Sequence, residues 1–113
     1  MGREERALTT AEFQVLVSLA DGEKHGYAIG KEVARRTDGR VMLRAATLYT
    51  VIKRLVDDGL IHESAARPDP ALDDERRRYY RLSDRGRRAA EREAARLEET
   101  LREARAKLRL RKA

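Results

Sequence analysis

The sequence has no cysteine, which excludes disulfides and thiolate metal sites and fits a reducing compartment. It has no tryptophan, one phenylalanine and four tyrosines, so a core can form but must be small and mostly aliphatic. No apolar run approaches the roughly 18 residues of a membrane span. The opening stretch MGREERALTT lacks the apolar segment of a secretory signal. A soluble, cytoplasmic protein without a membrane partner is expected. Nucleotide-loop, paired-histidine and nucleophile motifs are missing too. His25 and His62 have no catalytic companions nearby in the sequence, and the acids at 69–75 lack the spacing and glycine of a calcium loop. No enzyme activity, cofactor or metal is expected.

Charge is what the chain has in abundance. Its 26 Lys and Arg against 20 Asp and Glu give a net charge of +6, a balance suited to nucleic acid or an anionic membrane surface. A merely solvated basic surface is the alternative, and the positions of the bases must decide. A length of 113 residues fits one domain with one appended element, and so small a core makes oligomerisation a plausible source of added stability.

Along the chain, Thr9 and Glu12 form a capping box before Phe13, Leu16, Val17 and Ala20, which recur at helical spacing up to Asp21-Gly22. A second helix is predicted from about Lys24–Gly26 to Thr37. Gly26 and Gly30 share one of its faces, suggesting close approach of another backbone. A short strand is expected over Arg40 to Leu43. A third helix over Ala45 to Asp58 carries the apolar stripe Leu48, Val51, Ile52 and Leu55, with Gly59 as its stop. Residues 60–66 and 76–82 read as strands around RPDPALDDE, which holds both prolines and can only be a loop. On the second strand, Tyr80 faces the core if Leu82 does. Ser83 caps a last helix to about Arg109, along which Ala90, Ala94, Leu97, Leu101, Ala104 and Leu108 make a heptad seam.

Three helices, a hairpin and a long helix make a mainly α chain with the layout of a winged helix-turn-helix. The expected division is an N-terminal tail (1–8), the winged domain (9–82), the terminal helix (83–109) and a basic tail (110–113). The third helix turns Ala46, Thr50, Lys53 and Asp57 outward, with Thr47, Tyr49 and Arg54 at the edges. Small residues, hydroxyls and bases on an exposed helix suit a major groove. An ordinary solvated face is the alternative, against which Arg76, Arg77 and Arg78 on the hairpin add bases placed to neutralise phosphates. The candidate DNA contacts are Lys31, Arg44, Thr47, Tyr49, Thr50, Lys53, Arg54, Arg76, Arg77 and Arg78. The seam's mixed charges favour a protein partner over a bilayer, hence homodimerisation; a module that binds only other proteins is the rival reading.

The motifs HGYAIGKEV, TLYTVIKRLVDDGLI and RRRYYRLSDRGRRA, in this order, closely resemble the PadR family of bacterial transcriptional regulators over roughly residues 8 to 108. The resemblance implies a homodimer packed through the terminal helix, a two-fold operator on double-stranded DNA, and repression. It puts DNA contacts on Thr47, Tyr49, Thr50 and Lys53, assisted by Lys31 and the hairpin arginines. His25-Gly26-Tyr27 would be structural, with Tyr27 packed against the domain. Ala46 stands where the family often has Gly. Some relatives bind flat, greasy ligands between subunits using Trp; this chain has none, and any small-molecule effector stays unnamed.

Overall fold

The computed structural model describes residues 6–64 and 78–109. The first helix, α1 (Thr10–Ser18), begins with the expected capping box: Thr9 Oγ1 accepts from Glu12 N at 3.1 Å, and Thr9 N donates to Glu12 Oε1 at 2.9 Å. Its buried face differs from the apolar spacing in the sequence. Glu12, Val15, Leu16 and Leu19 go inward, Phe13 and Val17 are only half-buried and Ala20 is exposed. Glu12, read from the sequence only as a capping-box acid, goes inward with Val15, Leu16 and Leu19, where Thr9 N and the partly exposed guanidiniums of Arg6 and Arg54 hold its carboxylate.

A two-residue strand, β1 (Lys24–His25), precedes α2 (Gly26–Arg36). His25 caps α2, its Nδ1 accepting from Ala28 N at 3.2 Å. The strand expected over Arg40 to Leu43 does not form. Thr37 Oγ1 accepts from Val41 N at 3.0 Å, and Arg40 N donates to Thr37 O at 3.0 Å, so the turn after α2 takes up these amides.

The third helix, α3 (Ala45–Asp57), buries Leu48, Val51, Ile52 and Leu55. It stops at Gly59, whose φ of 77° suits glycine. Leu60 N donates to Leu55 O and Gly59 N to Val56 O, the paired bonds of a Schellman motif. The chain then enters β2 (Ile61–Ser64) and returns in β3 (Tyr79–Leu82). The sheet is antiparallel in the order β1-β3-β2, with His25 opposite Tyr79 and Ile61 opposite Leu82. Tyr80 is buried and Leu82 packs beside it against the core, on the same strand face as expected. The loop between these strands lies outside the described residues.

The last helix, α4 (Asp84–Leu108), spans 25 residues, about 37 Å at 1.5 Å per residue. Ser83 fixes its start: Oγ accepts from Gly86 N at 2.9 Å and donates to Gly59 O at 2.7 Å, while Ser83 N donates to Leu60 O. The first turn sits so close to the α3–β2 turn that a Cβ on Gly86 would lie 1.9 Å from Leu60 O. Farther on, Ala89, Ala90 and Glu93 pack toward the domain, and the remainder of α4 is largely exposed. No helix among the described residues is long and apolar enough to cross a membrane.

Candidate nucleic-acid interface

The outer face of α3 is formed as its pattern predicts. Arg44, Ala45, Ala46, Thr47, Thr50 and Lys53 are all exposed, Lys53 to 78% of its side chain. Thr50 Oγ1 donates to Ala46 O at 2.9 Å, which leaves its oxygen lone pairs facing outward as acceptors. Lys53 leans toward Asp57 at 3.6 Å. Arg44 precedes the helix as its N-cap without a side-chain cap bond, so its guanidinium has no duty in closing that end.

Tyr49 departs from the expected exposed edge. Its ring lies where a Cβ on Gly26 would be, 2.6 Å from that position, and its hydroxyl is shielded from solvent. Gly26 and Gly30 do mark a close approach, but to the side chains of Tyr49 and Leu48 and not to a backbone. Tyr49 therefore packs α3 against α2, with its hydroxyl turned away from solvent. Tyr27, expected to pack against the domain, is 43% exposed. It stacks on His25, and Lys31 Nζ lies 5.2 Å from its ring centroid. Lys31 is thus presented at the surface on an aromatic support.

On the hairpin, Arg78 is exposed and faces Glu63 at 3.3 Å; Arg76 and Arg77 lie outside the described residues. A cavity of about 260 Å³ separates α3 from the hairpin, with Ile52, Val56 and Tyr80 among its walls and Lys53 and Arg78 at its rim. The Lys53–Asp57 and Arg78–Glu63 pairs are exposed, and such pairs contribute only about 0–1 kcal/mol. A phosphate oxygen can therefore take either base from its carboxylate.

Arg54 belongs to a different arrangement. Glu12 is fully buried and accepts from four donors: Arg6 Nη1 at 2.9 Å, Arg6 Nη2 at 3.0 Å, Thr9 N at 2.9 Å and Arg54 Nη1 at 3.2 Å. Arg6 also reaches Asp58 at the end of α3, at 2.8 Å. Burial alone would raise the Glu12 carboxyl. The hydrogen bonds from Arg6, the Thr9 amide and Arg54 outweigh it and hold the group at about 2. The same pair raises the Arg6 guanidinium. Arg54 thus lends one guanidinium nitrogen to a carboxylate that Arg6 already holds, and its side chain stays 46% exposed. Neither Arg6, placed in a segment read as a tail, nor the inward turn of Glu12 was foreseen; the sole signal was the capping box itself.

Along α4 the seam divides. Ala90 packs against the domain's own core, while Ala94 is exposed and Leu97, Leu101 and Leu108 are 47%, 48% and 63% exposed; Ala104 is intermediate. The free apolar stripe therefore starts at Ala94, not Ala90. Among the described residues no three acidic, histidine or cysteine side chains gather as metal ligands.

Residues 15–92 match the Transcriptional regulator PadR-like family. The chain belongs to this family. An uncharacterised protein from Lysinibacillus sphaericus is 31% identical to this PadR-like chain over 72 residues, 64% of the chain and 63% of that protein. The chain thus spans just under two thirds of this curated relative. A transcriptional regulator from Clostridium thermocellum superposes with a TM-score of 0.68 at 27% identity, covering 79% of this chain and 83% of the other. Bacillus subtilis PadR in complex with operator DNA superposes with a TM-score of 0.62 at 22% identity, over 73% of this chain and 45% of that one, a likeness of fold.

Proposed function

We propose that this PadR-like protein is a cytoplasmic, homodimeric transcriptional repressor that binds a two-fold DNA operator. The observation that carries the reading is the outer face of α3: small residues, two threonine hydroxyls and Lys53 exposed on one helix, beside the hairpin, where Arg78 is exposed just before β3. Bacillus subtilis PadR, which shares the fold, has been solved with operator DNA. Residues 9–82 are read as the DNA-binding unit and 83–109 as the dimerising helix. In the major groove Thr47 and Thr50 would meet base edges, and the outward lone pairs of Thr50 suit an exocyclic amino group of adenine or cytosine. Lys53, Lys31, Arg44 and Arg78 would neutralise phosphates, joined by Arg76 and Arg77.

The two kinds of contact respond differently to salt, and titrations of DNA upstream of the protein's own gene separate them. Lys53→Ala is expected to weaken binding and lower the slope of log affinity against log salt by about 1 per subunit. Thr50→Ala should weaken binding with that slope unchanged. Salt-insensitive binding, or no protected upstream sequence, would sink the reading.

The dimer rests on the exposed stripe from Ala94 to Leu108, whose spacing of three and four residues suits helix pairing. Joint replacement Leu97→Asp and Leu101→Asp places two charges in the seam and is expected to give monomers in sedimentation at micromolar concentration. The melting of each single domain should change little, because both leucines lie outside the core. A variant that sediments like the wild type would rule out this seam.

A further inference from the structure

Four of the five exposed large hydrophobic residues described here have a reading already: Tyr27 supports Lys31, and Leu97, Leu101 and Leu108 form the seam. The fifth, Met42, is the most exposed of all at 69%. It lies three residues before α3, and its surroundings hold it there. Thr37 Oγ1 donates to Val33 O at 2.8 Å and accepts from Val41 N at 3.0 Å, tying the backbone to the end of α2. Val41 and Leu43 pack against the core on either side. Exposure alternates over the five residues: Arg40, Met42 and Arg44 outward, Val41 and Leu43 inward. Two bases therefore flank one apolar side chain on a braced segment that runs directly into the exposed face of Ala45, Ala46 and Thr47.

We propose that Arg40, Met42 and Arg44 extend the DNA-binding face beyond α3, with Met42 reading the methyl group of a thymine. The inference rests on the DNA-binding reading above. A strip charged at both ends and apolar between matches the edge of a groove, where phosphates flank base edges and thymine supplies the one apolar group. The thioether side chain is unbranched and adaptable, so it can follow a methyl surface without a fixed hydrogen-bond geometry. Met42 contributes specificity, and the two arginines contribute affinity.

The test uses the full chain and the duplex that the wild type enriches from a random-sequence pool, with thymines replaced one at a time by uracil. At one position per half-site, loss of the methyl group is expected to weaken wild-type binding about fourfold, the worth of one carbon removed from water. Met42→Ala and Met42→Gln should bind thymine and uracil duplexes alike, whereas Met42→Leu should keep the preference. Arg40→Gln and Arg44→Gln should each lower the salt slope and leave the preference unchanged. Undiminished thymine preference in Met42→Ala, or no thymine whose methyl matters, overturns the proposal while leaving DNA binding intact. A pool in which nothing is enriched overturns the DNA-binding reading itself.

Discussion

Gly86→Ala is expected to lower the stability of the protein by more than about 3 kcal/mol, the upper part of the usual range for overpacking. In a domain this small that corresponds to a melting temperature lower by roughly 15 °C or more. Alanine is ordinarily the better helix residue by about 1 kcal/mol, so propensity alone predicts the opposite sign. Sterics decide the matter. The added Cβ would stand 1.9 Å from Leu60 O and 2.9 Å from Leu60 C, both backbone atoms, as well as 3.1 Å from a Leu82 methyl. A flexible side chain would swing away, but Leu60 O already accepts from Ser83 N, and Leu60 N is held by Leu55 O. Relief requires moving the whole first turn of α4, which breaks the Ser83 bonds to Gly59 and Gly86. Thermal and urea melts at one fixed protein concentration measure the effect, since association shifts apparent stability. Gly86→Ala melting with the wild type would show that the junction is looser than its geometry implies.

That junction also bears on DNA recognition. Asp58, Gly59 and Leu60 end α3, and Ser83 and Gly86 fasten α4 to the same three-residue stretch. The helix that would enter the groove and the helix that would meet the partner are thus linked through one turn. In the proposed dimer, the separation and tilt of the two α3 helices follow from this rigid connection, and with them the half-site spacing that the operator must present.

The elements of the fold were legible wherever local rules specify them. The capping box at Thr9, the stripe of α3, Gly59 as a stop and Ser83 as a cap each rest on chemistry within a few residues. Two elements were not. Strand β1 has two residues, too few to show alternation, and exists because His25 pairs with Tyr79, more than fifty positions away. The expected strand at Arg40 to Leu43 does show alternation, yet a strand also needs a partner edge, and Thr37 takes the amide of Val41 instead. At the candidate site, pattern identified which helix face is outward but not how its edges are used. Tyr49 and Arg54 both sit on the rim of that face, and each meets a residue from elsewhere in the chain: Tyr49 packs inward on Gly26, while Arg54 reaches Glu12 and stays 46% exposed. No spacing rule relates Arg6 or Glu12 to Asp58 and Arg54, so the ion cluster is a property of the tertiary structure.

Glu12 gives the second large effect. Glu12→Gln keeps the shape and an acceptor for Thr9 N, but removes the charge that Arg6 and Arg54 surround. Breaking one side of a buried pair can cost about 3–5 kcal/mol. The guanidinium-bearing side chains are 34% and 46% exposed, so water recovers part of that, and a loss of about 2–3 kcal/mol at pH 7 is expected. The pH dependence distinguishes the charge from the packing. A carboxyl held at about 2 in the fold, against an ordinary 4.5, contributes stability that is fully present above about pH 4.5. As the pH falls from there toward about 2, the unfolded chain binds the proton first and the contribution drains away. The shift corresponds to at most about 3 kcal/mol, comparable with the loss in the variant. Urea melts at intervals from pH 7 to pH 3 should therefore show a constant gap between wild type and Glu12→Gln down to about pH 4.5, and a gap that narrows progressively below it. Arg6→Ala should reproduce part of the loss, because it removes two of the four donors to Glu12 and the bond to Asp58 as well. A gap that stays constant down to pH 3 would mean that Glu12 stabilises the fold through its packing and the Thr9 cap, with no contribution from its charge.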